Sequence, residues 1–349
     1  MTQSRPRPIR IVDIARQAEV SPMAVSNVLH GAGQGRIRVS QETADRIRQV
    51  ARSLNYRPNL AARQLTAKSS RIIAAIIDTQ TNYAMAQVLA GIEQIVSANG
   101  YRLMVGYAHD SIERLEAHID DFYSHGVDGL ICMAYGYPYQ GSSIEKKLAV
   151  FDHCVFLGLP PASGDVSCIE LNYDQACEMA TSHLLGHQRK RIAFMLPSHV
   201  NQPAIERHID GYLRAHANAG VKAIKPLYRA MSEPMVTNEA QARAALESVL
   251  PHQPDALVAG SDESAIWYMK VLSQMGMRVP QDIAIVTLEH WPIGQGVTPA
   301  LTSVDFQVPV LAKEATELLF TLLREQVPSI RRSARLHLVR GQSCGCQMA

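Results

Sequence analysis

The chain has 349 residues, of which 47% are hydrophobic and 19% charged, and its formal net charge at pH 7 is +2. This composition is typical of folded globular proteins and excludes a disordered chain. No apolar run approaches the roughly 18–20 residues that a membrane span needs, and the N-terminus lacks the apolar core of a signal peptide, so we expect a cytoplasmic protein. The length exceeds that of one hydrophobic core, so two or three domains are expected.

The charge is distributed unevenly along the chain. Residues 1–71 contain 13 lysines and arginines against four acids, a balance of +9, and the remaining residues carry −7 because the whole chain is +2. A small basic segment on a mildly acidic body is typical of nucleic-acid-binding proteins, because Lys and Arg neutralise phosphates and release counterions. An unstructured basic tail would have the same charge, but residues 11–67 have regular helical periodicity.

Two short helices are predicted near the N-terminus. Ile11, Ile14, Ala15 and Ala18 have the i, i+3, i+4, i+7 spacing of one amphipathic helix. After a tight turn, Ser21 is a good N-cap, and the proline that follows it favours the start of a second helix running to about residue 29. Two short helices joined by a tight turn form a helix-turn-helix unit, whose second helix enters the DNA major groove.

The outward face of the second helix carries the side chains that suit base recognition. Met23 can pack on a thymine methyl group, Asn27 can pair with an adenine edge, and Ser26 can contact a phosphate or a base. This face is small-chained and nearly uncharged, whereas a solvated face would carry Lys and Glu. The predicted DNA-binding residues of this segment are Ser21, Pro22, Met23, Ser26, Asn27 and His30.

A third helix is predicted after a glycine-rich loop. Ser40 is its N-cap, Glu42 lies in its first turn, where the helix dipole favours an acid, and Ile47 begins its apolar face. Arg36 and Arg38 in the preceding loop are predicted to contact phosphates. A further short helix is predicted within residues 55–70.

Three segments of the basic region resemble the LacI/GalR family of transcriptional regulators. They are DIARQAEVSPMAVSNVL (13–29), VSQETADRIRQVARSLNYRPN (39–59) and LAARQLTAKS (60–69). The resemblance implies that the last helix is a hinge that folds on operator DNA and inserts a leucine between base pairs of the minor groove. The matching residue is Leu65, with Ala62 near the groove floor and Tyr56 and Asn59 as further DNA contacts. The alternative for Leu65 is a contact with the protein core.

The sequence departs from the family at the start of the recognition helix. The family usually has Thr-Val-Ser-Arg there, whereas this chain has Ala24-Val25-Ser26-Asn27. Because arginine commonly pairs with guanine, Asn27 predicts a different base preference at that position.

Residues 72–349 alternate apolar runs with helical segments. The predicted strands are 72–77, 102–107, 128–133, 154–158, 192–196, 256–260 and 282–287. Continuous apolar strands separated by helices predict parallel sheets covered on both faces, with ligands bound beyond the carboxyl ends of the strands.

The family resemblance extends over this region and implies its architecture. The expected fold is an all-α helix-turn-helix head plus an α/β body of two lobes, of the type I periplasmic-binding-protein fold. The expected domains are a DNA-binding domain (1–58), a hinge helix and linker (59–71), and an effector-binding and dimerisation domain (72–349). The expected lobes are about 72–168 with 298–330, and about 169–297 with 331–349.

Carrying the family's effector site over residue by residue gives a changed set of side chains. The candidates are Asn82, Tyr83, Arg207, His208, Asp262, Glu289 and Trp291. Carboxylates and amides can bind vicinal hydroxyl groups while an aromatic ring covers the apolar face of a sugar. We therefore expect a carbohydrate-like effector. Trp267, within an apolar helical run, is expected in the core of a lobe.

Metal, cofactor and catalytic functions are not predicted. Cys344 and Cys346 are close in sequence but have no matching second pair of ligands, so no metal site is expected. No cofactor motif is present, and the S-x-x-K match at Ser143 lacks its companion motifs. The alternative function is solute binding for a transport system, which the body alone would allow but the basic helical segment disfavours.

The resemblance implies a homodimer that binds pseudo-palindromic double-stranded operator DNA and has no membrane partner. Closure of the lobes on an effector would change the spacing of the two hinge helices. Since a ligand shifts an equilibrium only by its differential affinity for two states, the effector could be an inducer or a corepressor.

Overall fold

The computed structural model describes residues 9–30, 39–56, 69–77, 83–109, 111–133, 143–158, 166–196, 202–228, 236–325 and 327–346. The chain divides into two compact units, a head unit (Met1–Ser70) and a body unit (Arg71–Ala349). Most of the predicted hinge helix and linker (59–71) falls within residues 57–68, which lie outside the described residues.

The head unit contains three described helices, α1 (Ile11–Gln17), α2 (Pro22–His30) and α3 (Gln41–Ser53). The predicted helix starts at Ser21 and Ser40 are confirmed, because the Ser21 hydroxyl accepts a hydrogen bond from the Ala24 backbone N–H and Ser40 accepts one from Thr43. Helix α1 begins without a capping hydroxyl. Instead, the Asp13 carboxylate accepts a hydrogen bond from the Arg10 backbone N–H at 2.8 Å.

A small apolar core joins these helices. Ile14, Val25 and Ile47, one from each helix, are fully buried, and Ala18 and Ala51 pack beside them. Burying one such branched side chain contributes about 1.5–3 kcal/mol relative to leaving it exposed. The apolar face of α2 is therefore buried in the core, and its opposite face points away from the core.

The body unit contains two sheets. The first has the strand order β10-β5-β4-β3-β1-β2, and every pairing in it is parallel. Its strands are β1 (Ile72–Ile77), β2 (Arg102–Tyr107), β3 (Gly129–Met133), β4 (Cys154–Gly158), β5 (Ser167–Glu170) and β10 (Arg331–Ser333). The second has the order β11-β9-β8-β7-β6, parallel except for β11 against β9. Its strands are β6 (Ile192–Met195), β7 (Ala256–Ala259), β8 (Ala284–Thr287), β9 (Thr302–Asp305) and β11 (His337–Val339).

Helices connect the parallel strands of both sheets. The body helices are α4 (Tyr83–Ala98), α5 (Ile112–Ser124), α6 (Ser143–Leu148), α7 (Tyr173–Gly186), α8 (Gln202–Asn218), α9 (Glu239–Val249), α10 (Asp262–Gln274), α11 (Pro292–Gln295) and α12 (Val308–Arg324), with 3-10 turns at Lys225–Leu227 and Leu250–His252. The predicted architecture of a helical head and a mostly parallel α/β body with two lobes is confirmed. No helix among the described residues is both long and apolar enough to cross a membrane.

The chain crosses between the sheets at places that differ from the predicted lobe limits. Strand β9 lies in the second sheet, although residues 298–330 were expected in the first lobe. Strand β10 lies in the first sheet, although residues 331–349 were expected in the second. The correction has a physical reason. These strands are only four and three residues long and rich in Ser, Thr and Arg, so they lack the continuous apolar runs that mark the other strands. Hereafter, the first lobe is the part built on the six-stranded sheet and the second lobe the part built on the five-stranded sheet.

Candidate functional site

The predicted recognition face of α2 is exposed. Met23 is 63% exposed, which is high for a large apolar side chain, whereas Val25 two residues later is fully buried. Ser26 and Asn27 are partly exposed. Ser21 uses its hydroxyl as the helix cap, and the neighbouring Pro22 is exposed. The head unit therefore presents the N-terminal half of α2, where a helix-turn-helix unit makes its base contacts.

The other predicted DNA-binding residues are only partly described. His30 ends α2. Tyr56 packs against the core of the head unit, and burial raises the pKa of its hydroxyl. Arg36, Arg38, Asn59, Ala62 and Leu65 lie outside the described residues.

In the body unit, Asp262 begins α10 directly after β7 and is fully buried. One carboxylate oxygen accepts hydrogen bonds from the hydroxyls of Thr287 (2.5 Å) and Ser303 (3.3 Å), and the other accepts one from the Trp291 backbone N–H (2.8 Å). Burial raises the pKa of this carboxyl group, although these hydrogen bonds oppose the shift. With both oxygens engaged inside the protein, Asp262 positions the segment after β8.

Glu289 and Trp291 form a pair in that segment. The indole Nε1–H of Trp291 donates to the Glu289 carboxylate at 3.1 Å, and both residues are half-buried. Burial raises the pKa of Glu289 to about 7, with a further increase from the carboxylates of Asp262 and Glu263 against the opposing hydrogen bond from Trp291. The structure thus brings together three of the predicted effector residues: a carboxyl group, an aromatic ring and the aspartate that orders their segment.

Arg207 lies on α8, and its guanidinium contacts the other lobe. Its Nη1 lies 2.6 Å from Oε1 of Glu170, which ends β5 in the first sheet. Both side chains are partly exposed. Among the described residues, no hydrogen bond or ion pair joins Arg207 to Glu289 or Trp291.

His208, the next residue, is only 5% exposed. Its ring stacks on Tyr173 with 4.7 Å between centroids, and its Nδ1 bonds to the Ala204 carbonyl. Burial lowers the pKa of His208 to about 4, so the ring is neutral at pH 7. This is a core histidine, and its position gives no support to the prediction that it binds an effector. Asn82 lies outside the described residues, and Tyr83 opens α4.

A cavity of about 780 Å³ lies in the body unit between α4, α12 and the segments next to β8, β9 and β11. Its lining residues include Gln87, Gln94, His290, Trp291, Asp305, Gln307, Lys313 and His337. Amides, charged groups and an indole therefore face the same space. Trp291 belongs both to this cavity and to the predicted effector residues.

One cluster was missed by the sequence analysis. His183 on α7 and His187, the C-cap residue of that helix, lie beside Cys344 and Cys346, and the four ligand atoms are within 4.8 Å of one another. The expectation that these cysteines lack a second pair of ligands is therefore wrong. The available signal in the sequence was the i, i+4 spacing of the two histidines, which puts them on one face wherever that stretch is helical. Burial raises the pKa of the Cys344 thiol, but hydrogen bonds from His183, Thr302 and Cys346 outweigh it and lower the pKa to about 6.

Comparison with known proteins agrees with this geometry. Residues 10–59 match the model for bacterial regulatory proteins of the lacI family, and residues 181–344 match the model for periplasmic binding protein-like domains. The ribose operon repressor of Haemophilus influenzae is 26% identical over 321 residues, covering 89% of this chain and 91% of the relative.

Two solved structures show the same fold. The lac repressor dimer bound to operator and an anti-inducer superposes with a TM-score of 0.83 at 20% identity, over 97% of this chain and 99% of that one. The cellobiose complex of the regulator CelR gives a TM-score of 0.67 at 22% identity, over 97% of this chain and all of that one. Together with the exposed recognition helix, the two family matches show a transcriptional regulator that combines a lacI-family DNA-binding domain with a periplasmic binding protein-like domain.

Proposed function

We propose that this protein is a repressor that binds a pseudo-palindromic operator as a homodimer through two copies of α2, and that a carbohydrate-like effector bound by the body unit controls its DNA affinity. The DNA-binding part of this proposal rests on the exposed face of α2. An apolar side chain that is 63% exposed, Met23, stands beside Ser26 and Asn27 on a helix whose other face is fixed in the core.

The chemistry of that face specifies the type of contact. The Asn27 amide can donate an N–H to N7 of adenine and accept a hydrogen bond from the adenine N6 amino group in the major groove. The Met23 thioether is flexible and apolar, which suits a thymine methyl group. Both contacts favour A·T pairs near the positions that α2 contacts.

The experiment is selection of a randomised pseudo-palindromic DNA library by the purified protein, followed by sequencing, with Asn27→Arg in parallel. We expect a symmetric consensus that changes at one position per half-site in Asn27→Arg, from adenine towards guanine. Asn99→Arg is the matched control, because it adds the same charge at an exposed position of the body unit. A consensus that is identical for the wild type and Asn27→Arg would contradict the proposed role of Asn27, and the absence of any consensus would contradict operator binding.

The effector part of the proposal rests on the polar groups assembled around Trp291. Its indole is hydrogen-bonded to a carboxyl group on one side and lines a cavity that also holds amides and charged groups. An aromatic ring next to hydrogen-bonding groups is the arrangement that binds sugars in proteins. CelR, which has the same fold, is solved with cellobiose.

Tryptophan fluorescence can test this part directly, because the chain has only two tryptophans. Trp267→Phe leaves Trp291 as the single reporter, and Trp291→Phe leaves only Trp267, which is partly buried and packs against a core cluster of the second lobe. We expect one or more sugars in a panel to change the emission of the first variant and not of the second. A sugar response carried by Trp267 alone would place the effector elsewhere. No response to any sugar, with intact operator binding, would contradict the carbohydrate class while leaving the DNA function standing.

The dimer is supported by the surface beside the cavity. Ile293, which follows the lining residue Pro292, is 58% exposed, and Val310, which lines the cavity itself, is 45% exposed. Exposed apolar side chains that cluster in this way mark protein interfaces. Light scattering of the purified protein tests this, and Ile293→Asp with Val310→Asp is expected to give monomers with weakened operator binding.

A further inference from the structure

Two elements far apart in sequence bring four metal-ligating side chains together in the second lobe. His183 lies in the last turn of α7 and His187 is the C-cap residue directly after it, whereas Cys344 and Cys346 follow β11 in the C-terminal segment. The Cys346 sulfur lies 3.6 Å from His183 Nε2 and 3.2 Å from His187 Nε2. All four ligand atoms lie within 4.8 Å of one another.

These separations suit a single tetrahedral ion. With Zn–S bonds of about 2.3 Å and Zn–N bonds of about 2.0–2.1 Å, the sulfur and nitrogen ligands of a tetrahedral site lie about 3.5 Å apart. The two Cys346–histidine distances lie on either side of that value. Two thiolates and two imidazoles are also the ligand set of many structural zinc sites, and the thiolate pair disfavours calcium and magnesium, which prefer oxygen ligands.

The surrounding hydrogen bonds hold the ligands in place. Cys344 is buried, and its sulfur accepts hydrogen bonds from the Thr302 hydroxyl at 3.0 Å and from the Cys346 backbone N–H at 3.4 Å. The adjacent Ser343 donates to the Ile285 carbonyl and accepts from the Thr302 backbone N–H, which ties the segment to β8 and β9. Such partners orient metal ligands and favour the thiolate that a metal needs.

We propose that His183, His187, Cys344 and Cys346 bind one zinc ion, which fastens the C-terminal segment to α7. The two thiols lose their protons to solvent when the ion binds, and the two histidines bind through Nε2 as neutral rings. The ion therefore completes a link between α7 and the segment that follows β11. Its stabilisation of the body unit increases with zinc concentration, because the metal binds only the folded arrangement.

The test uses the full chain purified under reducing conditions, with its metal content measured after dialysis. We expect about one zinc ion per chain, and we expect cobalt(II) to produce the thiolate charge-transfer and visible bands of a tetrahedral site. Cys346→Ser and His187→Gln change partly exposed or exposed residues, so both variants are expected to fold, and each should weaken zinc binding about 100-fold or more. Thermal unfolding of the wild type should shift upward on adding zinc, and that of the variants should not.

The matched control is His125→Gln, which removes an exposed histidine at the end of α5, outside the cluster. It should retain the full zinc content and the cobalt spectrum. The proposal is overturned if the reduced wild-type protein binds no zinc and gives no cobalt thiolate band. It is equally overturned if Cys346→Ser and His187→Gln bind as much zinc as His125→Gln, or if Cys344 and Cys346 form a disulfide that persists in reductant.

Discussion

Arg207 on α8 of the second lobe forms an ion pair with Glu170 at the end of β5 in the first lobe, with 2.6 Å between Nη1 and Oε1. The two partners belong to different lobes, so a relative movement of the lobes changes this distance. The pair is partly exposed, which makes its net contribution to the free energy of unfolding small, about 0–1 kcal/mol. The ion pair therefore serves to position the Arg207 guanidinium and does little to stabilise the fold.

Arg207→Ala and Glu170→Gln separate these two roles. The family resemblance places Arg207 among the effector-binding residues, so we expect Arg207→Ala to weaken binding of the sugar found in the fluorescence screen about tenfold or more, since a hydrogen bond to a charged group contributes about 1.5–3 kcal/mol. Glu170→Gln keeps the guanidinium and should retain most of the sugar affinity. Both variants should unfold within a few degrees of the wild type. Equal sugar affinity in the wild type and Arg207→Ala, measured by titration, would remove Arg207 from the effector site.

Met23 should contribute to DNA affinity without contributing to folding. Its side chain is 63% exposed, so Met23→Ala should leave the free energy of unfolding within about 0.5 kcal/mol of the wild type. Loss of an apolar contact with a base should weaken operator binding by about 1–3 kcal/mol, measured by fluorescence anisotropy. Val12→Ala is the control, because Val12 is also exposed but lies on α1. Similar losses of affinity in both variants would argue against a specific contact by Met23.

Glu289 should make the stability of the body unit depend on pH. Its pKa is about 7 in the folded protein and 4.5 ordinarily, so between these values the folded chain holds a proton that the unfolded chain has released. The free energy of unfolding therefore falls as the pH rises through this window. Glu289→Gln mimics the protonated form, so its stability relative to the wild type should increase by about 1–3 kcal/mol from pH 4.5 to pH 7. Urea unfolding at several pH values measures this, with exposed Glu93→Gln as the control whose difference from the wild type should not vary.

The strands that the sequence analysis identified are those with continuous apolar runs. IIAAII at 72–77 and ALVA at 256–259 are almost entirely buried, because parallel strands are covered on both faces. Strand β9, TSVD, gives no such pattern, since its buried Thr302 and Ser303 are polar residues whose hydroxyls are satisfied by Cys344 and Asp262. Those partners are 42 and 41 residues away, so no local pattern predicts them.

The candidate site residues also divide into those that the local sequence predicts and those that only the fold brings together. Residue type predicted the exposed face of α2, because Val25 and its neighbours had to be buried in the head core. The family resemblance, carried over by position, predicted His208 as an effector-binding residue, but its ring is buried against Tyr173, an arrangement that depends on how α7 packs on α8. The cluster of His183 with Cys344 depends on a contact across more than 160 residues, which only the fold determines.

The head unit should depend strongly on Ile47. This fully buried side chain of α3 lies in a core made of few residues, so a cavity there has little surrounding structure to fill it. Ile47→Ala should cost about 2–5 kcal/mol, which is enough to unfold a domain of this size. We expect loss of operator binding and of one calorimetric transition, with the sugar response of the body unit unchanged. Retained operator affinity would show that the head core tolerates the cavity.

Gly211 allows α7 and α8 to approach each other closely. A Cβ atom at this position would lie 1.9 Å from the Asp174 carbonyl oxygen, which is backbone and cannot rotate away. Arg214, one turn further along α8, forms ion pairs with Asp174 and Glu178 across the same interface, so separating the helices would also stretch these contacts. Gly211→Ala should therefore destabilise the body unit by about 3 kcal/mol or more.

Gly186→Ala provides the comparison for Gly211→Ala. Gly186 ends α7, and a Cβ atom there would meet no heavy atom within 4 Å. Because alanine is the better helix former, by up to about 1 kcal/mol, this variant should be as stable as the wild type or slightly more stable. Chemical denaturation of the two variants separates steric exclusion from any general intolerance of α7 and α8 to alanine. If Gly211→Ala unfolds at the same denaturant concentration as Gly186→Ala, the two helices can move apart at little cost, and the close contact is not needed for the stability of the second lobe.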